Sequence, residues 1–252
     1  MDLEVLFTAD EALAHSFAGS ITVIIDVLRA TTTITAALEA GARSVCPTAS
    51  VEAARIRRSV NSRALLCGER EGFRIEGFDY GNSPLELAKA TIVGRDLILT
   101  TTNGTKAVSA AADARLLIAG SVRNATAAAL EVSRAVAASR GSAESVVVVC
   151  SGTNGRFSID DAFAAGVIIQ RLGDSAIRLS DSAHAAVTLA SRPREQVVNR
   201  ETCRHLRLLY DIGFGADVEY AFQTDATDTV PMLIGDSFFV GTRDHAVFSD
   251  SG

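Results

Sequence analysis

The chain has 252 residues, 48% of them hydrophobic, and a net charge of −6. It is long enough to bury a core, and its acidic balance, without any basic run, argues against nucleic acid or an anionic membrane as a partner. Its beginning lacks the basic and apolar regions of a signal peptide, and no apolar run approaches the ~20 residues of a membrane span. We therefore expect a cytoplasmic protein.

Short apolar runs rich in β-branched residues alternate along the chain with longer runs of helical period. This alternation predicts an α/β fold of three layers, in which helices cover both faces of a mostly parallel sheet. We interpret residues 1–252 as a single domain that allows two similar lobes, 1–140 and 141–252, with the site between them; 140–144 would be a hinge and 242–252 a tail. Strands are predicted at 4–7, 21–25, 64–67, 115–118 and 230–239, with others beginning at 96 and 145, and helices over 30–40, 51–60, 84–90, 125–139, 183–190 and 201–212.

Residues 21–41 form the segment around which the rest of the chain is organised: an apolar strand, a polar turn and a helix. The strand stops at Asp26, the apolar residues of the helix fall on one face, and Gly41 stands where a left-handed residue would end it. The turn places Asp26, Arg29 and the threonines 31–33 where a parallel strand ends and a helix begins. Open α/β sheets bind ligands at such points.

The same sequence of strand, polar loop and helix recurs at residues 96–112 and 145–166, with the loops TTTNGT and CSGTNGR. Hydroxyl groups, glycines and the free N–H groups at the start of a helix can bind an anion. Gly, Asn, Ser and Thr are also the ordinary residues of such turns, and for one loop alone we would prefer that explanation. Three such loops at one edge of a parallel sheet predict a single pocket for a ligand with several anionic groups.

Residues 68–83, GEREGFRIEGFDYGNS, form a long segment with no regular period. Loops of this length in compact domains are usually functional or disordered, and the three aromatic residues favour an ordered functional loop. Glu69 directly follows a strand and can reach a site at the edge of the sheet. Ser83 and Pro84 are typical of a helix N-cap and of the first helical position, so we expect a helix to follow.

Acidic residues at the strand ends are the candidates for chemistry. Asp26 ends a buried strand, where an unpaired carboxylate is costly, so it needs a cation, a metal ion or N–H donors. A phosphatase mechanism of the haloacid-dehalogenase type is disfavoured, because position 28 is leucine and no Asp-x-Asp is present. Ser158 and Asp161 fit a capping box, which explains Asp161 structurally and leaves Asp160 available. Magnesium usually takes one or two carboxylates, water and substrate phosphate, and these loops offer such ligands.

The remaining reactive residue types carry no readable chemistry. The four cysteines are widely spaced without a C-x-x-C pair, which argues against a zinc site or a disulfide framework, and Cys150 is interpreted as a small buried residue. His15, His184 and His205 are interpreted as packed or surface residues. The absence of Gly-x-x-x-x-Gly-Lys and Gly-x-Gly-x-x-Gly motifs argues against the common nucleotide sites, and thus against a dehydrogenase. The Ala-rich helix over 125–139 is core or interface, which leaves a homodimer open.

Several blocks, in order along nearly the whole chain, resemble the signature blocks of the 2-phosphosulfolactate phosphatase family. They are DVLRATTT at 26–33, GER at 68–70, GFDYGNSP at 77–84, TTTNGT at 100–105, CSG at 150–152 and SIDD at 158–161. The resemblance implies an α/β fold particular to that family and a magnesium-dependent phosphatase that converts 2-phosphosulfolactate to sulfolactate and phosphate, a step of coenzyme M synthesis. The chain departs from the pattern at Glu71 and Phe73, where a Gly-rich continuation is expected, and at Asp160, where Glu is expected.

The residues and the resemblance together suggest one site for a small anionic phosphorylated substrate. Asp26, Glu69 and Asp160 are expected to approach Mg²⁺ and to act in catalysis with Arg29, which would hold acidic oxygens. Either a metal-activated water or a carboxylate nucleophile would displace the phosphoryl group. The alternative is a non-enzymatic binding or sensor protein for a small multi-anionic metabolite. The residues expected to bind the substrate are Thr31, Thr32, Arg70, Asn82, Ser83, Asn103, Gly104, Thr105, Lys106, Ser151, Gly152, Asn154 and Arg156.

Overall fold

The computed structural model of the chain describes residues 1–101, 103–139, 143, 145–173 and 177–241. The expected hinge at 140–144, apart from position 143, and the expected tail at 242–252 lie outside these residues. The strands are β1 (Asp2–Leu6), β2 (Ile21–Ile25), β3 (Ser44–Thr48), β4 (Leu65–Arg70), β5 (Phe73–Arg74), β6 (Asp96–Thr100), β7 (Leu116–Gly120), β8 (Ser145–Cys150), β9 (Arg178–Leu179), β10 (Pro231–Ile234) and β11 (Ser237–Val240). The helices are α1 (Ala9–Leu13), α2 (Ala30–Glu39), α3 (Val51–Val60), α4 (Pro84–Ala88), α5 (Gly104–Ala110), α6 (Ala125–Ala138), α7 (Ile159–Gln170), α8 (Asp181–Ala190), α9 (Arg194–Val197), α10 (Arg204–Asp211) and α11 (Gly215–Ala221).

The described strands form one sheet in the order β5-β4-β6-β3-β11-β10-β7-β2-β8-β1-β9. Parallel pairing joins β4, β6 and β3 into one set and β7, β2, β8, β1 and β9 into another. The α/β class with a mostly parallel sheet is therefore confirmed. Strand β8, from the second half of the chain, lies between β2 and β1, so the segments proposed as lobes, 1–140 and 141–252, share this sheet.

The carboxyl-terminal strand expected at 230–239 is instead an antiparallel hairpin of β10 and β11, inserted between β7 and β3. The chain reverses at Gly235, which has φ +63°, and Asp236. A glycine and an aspartate between two apolar runs are a hairpin signal that the prediction missed. Because the hairpin also pairs antiparallel with β7 and β3, the two parallel sets run in opposite directions.

Helix α2 lies at the centre of the molecule. Residues 30–38 are all buried, and the helix packs against β3, β7, β10 and β11. The side chains of β2 alternate between two cores: Ile24 joins the core around α2, whereas Val23 and Ile25 join the core built with α6, α7 and α8. Helices thus cover both faces of the sheet, as predicted.

The sheet is strongly curved. Five strand-to-strand steps separate β2 from β6, which at about 4.8 Å each would place them roughly 24 Å apart in a flat sheet. Yet Gly104, just after β6, lies against Asp26, just after β2: a Cβ atom added to Gly104 would be 2.8 Å from Asp26 Oδ2. The sheet therefore curls around α2 and brings together two loops that the strand order keeps apart.

Local signals were predicted with mixed success. Gly41 ends α2 with φ +89°, and Ser83 caps α4 with Pro84 as its first residue, both as predicted. Strand β3 was not predicted, because it contains Pro47 and proline usually argues against an inner strand. The short helices α1, α9 and α11 were also missed. Among the described helices, none is both long and apolar enough to cross a bilayer.

Candidate active site

A cleft of about 590 Å³ opens where the loops after β2, β6 and β8 meet the loop after β4 and helix α10. This volume is typical of a site for a small molecule. Its wall combines acidic groups, cationic groups and an apolar side supplied by α10. The lining residues are Asp26, Leu28, Arg29, Glu69, Arg70, Glu71, Gly72, Phe73, Asn82, Thr101, Asn103, Thr153, Asn154, His205, Leu208, Leu209 and Ile212.

Asp26 is buried in the turn after β2. Its Oδ1 accepts a hydrogen bond of 3.1 Å from the N–H of Ala30, and its N–H donates to Thr31 Oγ1, also at 3.1 Å. Burial, together with the charges of Asp160 and Glu69, raises the pKa of Asp26 to about 6, although His205 and the Ala30 N–H favour its charged form. A carboxylate in this environment can bind a cation or a proton near neutral pH.

Direct contacts join the three polar loops. Asn103, after β6, accepts a hydrogen bond of 3.2 Å from the N–H of Asn154, after β8. Gly104 approaches Asp26 closely only because it has no side chain. The predicted convergence is therefore present, but the reason given for it is wrong: β6 and β2 belong to oppositely directed sets, and the loops meet because the sheet is curved.

Asp161 has a different role from the one the sequence suggested. Its Oδ1 accepts from the N–H of Val27 at 2.9 Å and its Oδ2 from the N–H of Gly152 at 3.0 Å. The side chain of Ser158 makes no capping hydrogen bond with helix α7, so the expected capping box is wrong. Asp161 instead ties the loop after β2 to the loop after β8. Burial, then the charges of Asp160 and Asp26, raise its pKa well above the ordinary value.

Asp160 faces His205, a residue that the sequence analysis did not assign to the site. Asp160 Oδ2 lies 3.6 Å from His205 Nδ1, and Oδ1 accepts from the hydroxyl of Ser158. Burial raises the pKa of Asp160, but His205 and Ser158 outweigh burial and bring it below the ordinary value. Burial lowers the pKa of His205, but Asp160 and Asp26 outweigh burial and bring it above the ordinary value. The ring of His205, which also lies 3.4 Å from Thr153 Oγ1, lines the cleft.

The loop after β4 forms another wall of the cleft. It begins as a short hairpin in which Glu69 pairs with Arg74 and Arg70 with Phe73. Glu69 is buried, and its Oε2 accepts a 2.8 Å hydrogen bond from the N–H of Gly72. Arg70 donates to the carbonyl of Glu69 at 2.8 Å and faces the cleft. The long loop expected to be ordered and functional thus contributes to the cleft.

Arg29 lines the cleft, but its guanidinium is already engaged. Nη1 donates to Asp217 Oδ2 and Nη2 to the carbonyl of Gly72, each at 2.8 Å. The guanidinium carbon lies 4.3 Å from the centre of the Phe214 ring. Arg29 is therefore a buried structural cation as well as part of the cleft wall.

Other predicted residues lie near the cleft but outside its lining. The hydroxyls of Thr31, Thr32 and Thr105 donate to backbone carbonyls of their own turns. Lys106 forms an ion pair with Asp10, and Arg156 is exposed. The full set of predicted residues outside the lining is Thr31, Thr32, Ser83, Gly104, Thr105, Lys106, Ser151, Gly152, Arg156 and Asp160.

Buried polar atoms without a hydrogen-bond partner cluster at this site. Within the described residues they include Asn82 Oδ1, Thr101 Oγ1, Ser151 Oγ and Asp160 Oδ2. Such atoms are costly to bury unless a ligand, an ion or water satisfies them. Their presence in and around one cleft indicates a site built for polar groups from outside the chain.

The described residues contain no group of three or more His, Cys, Asp or Glu side chains arranged to hold a metal ion. Magnesium does not need such a group, because it often binds one or two carboxylates and completes its shell with water and phosphate oxygens. Asp26 Oδ1 accepts a hydrogen bond from Ala30, and Asp160 Oδ2 faces His205 but accepts no hydrogen bond, so both carboxylates are oxygen donors of the right kind. The donor set therefore fits magnesium through one or two carboxylates.

The fold and the site define an α/β protein with a carboxylate-lined cleft at the ends of its strands. The chain matches the family described as 2-phosphosulpholactate phosphatase over residues 6–236. It is 40% identical to a probable 2-phosphosulfolactate phosphatase of Carboxydothermus hydrogenoformans, over 92% of each chain. Proteins with the same name from Thermotoga petrophila and Clostridium acetobutylicum are 38% and 34% identical, over 86% and 92% of this chain and 91% and 97% of theirs.

The chain belongs to the 2-phosphosulfolactate phosphatase family. The resemblance described from the sequence is thereby confirmed, and with it the expectation of an enzyme that hydrolyses phosphoric monoesters.

Proposed function

We propose that this protein is a magnesium-dependent phosphatase that hydrolyses 2-phosphosulfolactate, or a closely related small phosphorylated acid, to sulfolactate and phosphate. The observation that carries the proposal is the cleft itself, where three polar loops and the buried carboxylates of Asp26 and Glu69 meet. Family membership supports the substrate class. In this proposal the reaction is a step of the coenzyme M type and takes place in the cytoplasm.

The charges of the cleft support the need for a divalent cation. A phosphate monoester is a dianion, and Asp26, Glu69 and Glu71 would repel it. Of the opposing groups, Arg29 is already paired with Asp217, which leaves Arg70 and His205. Asp26 with Glu69 or Asp160 would hold Mg²⁺, and the bound ion would neutralise these carboxylates and polarise the phosphoryl oxygens.

The residues of the chain bind and orient the substrate. Arg70 and the side-chain amides of Asn82, Asn103 and Asn154 line the cleft and can donate to carboxylate, sulfonate or phosphoryl oxygens. The raised pKa of His205 keeps a proton on its ring up to a higher pH, so the ring can donate a hydrogen bond to an anion in the cleft. Asp26 acts either as the nucleophile or as the acceptor that orients the attacking water.

The test is phosphate release from a panel of small phosphorylated acids, including 2-phosphosulfolactate, phospholactate and phosphoglycerate, with Mg²⁺ and with EDTA. We expect release that depends on Mg²⁺ and is fastest for a substrate with a second acidic group. Tight binding of these acids by calorimetry, without release under any divalent cation, would identify a non-enzymatic binding protein instead.

A further inference from the structure

The hairpin that carries Glu69 and Arg70 lies at the outer edge of the sheet. Strand β5 has two residues and, among the described strands, pairs with β4 alone. The turn between β4 and β5 places Glu71 and Gly72 at φ +55° and +88°. So short a hairpin is not stable by itself in water. The pairing of β4 with β6 ends at Gly68, so the position of the hairpin beyond that residue depends on contacts with other elements.

Those contacts come from Arg29 and from the segment that joins α10 to α11. Arg29 Nη2 donates to the carbonyl of Gly72 at 2.8 Å, and the N–H of Gly72 donates to Glu69 Oε2 at 2.8 Å. A side chain on Gly72 would collide with Cδ1 of Ile212, so the hairpin turn packs closely on that residue. The Phe73 and Phe214 rings also meet edge to face, with centroids 6.3 Å apart.

Asp217 on α11 holds this arrangement together. It is 2% exposed; its Oδ2 accepts from Arg29 Nη1 at 2.8 Å, and its Oδ1 accepts from the hydroxyl of Ser83 at 2.6 Å. The carboxylate of Asp217 thus contacts the segment 68–83 at two places. It binds Ser83 directly, and it is linked to Gly72 through Arg29. Asp217 is the one carboxylate of the described residues that forms an ion pair with Arg29, and its removal would leave a buried cation without that pair, which is strongly unfavourable.

We infer that Asp217 is a positioning residue of the active site, which acts through Arg29 to fix the hairpin that presents Glu69 and Arg70 to the cleft. Asp217 itself is absent from the cleft lining and would touch neither substrate nor metal ion. The inference rests on the proposed function for its catalytic consequence. The physical link from Asp217 to the hairpin does not depend on which reaction the cleft performs.

The test compares Asp217→Asn with a control just beyond the carboxyl-terminal end of the same helix. Asparagine keeps the shape but offers one acceptor oxygen where Asp217 serves two donors, and it removes the charge that pairs with Arg29. The control is Gln223→Ala, which removes the 2.6 Å hydrogen bond from Arg123 that anchors the end of α11 away from the cleft. Phe214→Leu removes the ring that packs on both Arg29 and Phe73, and it is a second variant that tests how the hairpin is held if Asp217→Asn does not fold.

Two readouts are needed, and the first is independent of activity. Trypsin can cut after Arg70 and Arg74, and a fixed hairpin resists it, so fragment masses over time report how well the hairpin is held. We expect Asp217→Asn and Phe214→Leu to be cut there faster than the parent, and Gln223→Ala to be cut at the parental rate.

The second readout is kinetic and uses the Mg²⁺-loaded enzyme. We expect Asp217→Asn to lose about 10- to 100-fold in kcat, the range found when a group that orients an active-site ligand is removed, and to need more Mg²⁺ for half-maximal rate. Gln223→Ala should keep the parental kcat even if it melts lower. Unchanged cleavage at Arg70 and Arg74, or faster cleavage with parental kinetics, would overturn the inference. If the parent itself releases no phosphate from any substrate, the proposed function fails, while the cleavage pattern still decides whether Asp217 holds the hairpin.

Discussion

At the scale of single residues, three buried aspartates in one small region have three different environments. Asp26 is hydrogen-bonded to the N–H of Ala30 and has a raised pKa of about 6. Asp160 faces His205 and has a lowered pKa, and Asp161 accepts two backbone N–H groups. In an active site, the surroundings of each carboxylate decide whether it acts as a ligand, as a base or as a structural hydrogen-bond acceptor.

Replacing Asp26 by asparagine keeps its shape and removes its charge. We expect turnover to fall by at least about 100-fold, as when a group that stabilises the transition-state charge is lost. Folding should survive, and the metal-free variant should melt at or above the parental temperature, because burying the charge is costly to the parent. Turnover and melting temperature, each measured with and without Mg²⁺, test this. Near-parental turnover with a lower melting temperature would show that Asp26 has a structural role and no role in catalysis.

Asp160 and Asp161 are neighbours for which we expect opposite results. Asp161→Asn loses one of two hydrogen bonds that join the loops after β2 and β8, so its free energy of unfolding should fall by about 1–3 kcal/mol. Asp160→Asn should affect turnover more than stability, and it should lower the pKa of His205, since the carboxylate that raises it is gone. Urea denaturation, kcat and the NMR titration of His205 measure these effects. Equal losses of kcat in both variants would contradict the division.

The sequence indicated some of these residues and could not indicate others. Asp26 and Glu69 could be proposed because they stand at the ends of predicted apolar strands, a signal that is local in the chain; in the structure Glu69 belongs to the last part of β4 itself. His205 could not, because it is separated from Asp160 by 45 positions (205 − 160) and lies on a helix with no motif of its own. Asp217 was missed for the same reason: its partners, Arg29 and Ser83, are far away in sequence.

At the scale of elements, the contact between α5 and the turn after β2 depends on the absence of a side chain at Gly104. A Cβ atom there would lie 2.7 Å from the Cβ of Ala30 and 2.8 Å from Asp26 Oδ2. Both neighbours are fixed by buried backbone, so one element must move. The glycine that appeared in the sequence as part of an anion-binding loop is thus also required for packing.

Gly104→Ala should therefore lower both stability and turnover. We expect a loss of about 1–3 kcal/mol in the free energy of unfolding, the usual cost of overpacking, and at least about a tenfold loss of kcat, because Asp26 is displaced. Ser109→Ala, in the same helix, is the control and should change neither by much. Urea denaturation and kcat measure the two effects, and a Gly104→Ala enzyme with parental values would show that the contact is looser than the structure has it.

Elements with strong local signals were predicted well, whereas elements defined by their partners were not. Strand β2, helix α2 and the cap of α4 were predicted because apolar periodicity, Gly41 and Ser83 with Pro84 mark them locally. The hairpin of β10 and β11 was merged into one strand, although its place between β7 and β3 comes from pairing with strands far away in the sequence, and β3, which contains Pro47, was missed. Non-local pairing leaves little trace in the order of residues along one strand.

At the scale of the whole molecule, the site depends on how the sheet is bent. The sequence predicts a parallel sheet whose strand ends meet at one edge, but β6 and β2 run in opposite directions and lie five strands apart. The hairpin inserted between the two sets reverses their direction, and the sheet curls around α2. Together these two features bring the carboxyl ends of β2 and β6 close to each other. The class of the fold was thus predictable from periodicity, while the shape that creates the cleft was not.

The buried charges of the cleft also affect the stability of the entire fold. Asp26 has a folded pKa of about 6, above its ordinary value of 3.8, so between these values the folded protein holds a proton that the unfolded chain releases. Its contribution to stability is therefore complete below pH ~4 and is lost as pH rises through ~6. His205, whose pKa is raised, likewise stabilises the fold less as the pH rises. Asp160, whose pKa is lowered, stabilises the fold less as the pH falls into the acid range. The metal-free fold should accordingly lose stability from this site as the pH approaches neutrality.

Urea denaturation in EDTA from pH 4.5 to 7.5, on the parent and on Asp26→Asn, isolates this effect. Because the pKa of Asp26 is about 6 in the folded protein and 3.8 ordinarily, the difference in unfolding free energy between parent and variant should change by about 2 kcal/mol in favour of the variant between pH 4.5 and pH 7.5. Added Mg²⁺ should stabilise the parent more at pH 7.5 than at pH 4.5, and should stabilise the variant little at either pH, because only a deprotonated carboxylate binds the ion well. Parallel curves for parent and variant across this range would mean that Asp26 does not carry the titration, and the role assigned to its carboxylate would have to pass to Asp160 or Glu69.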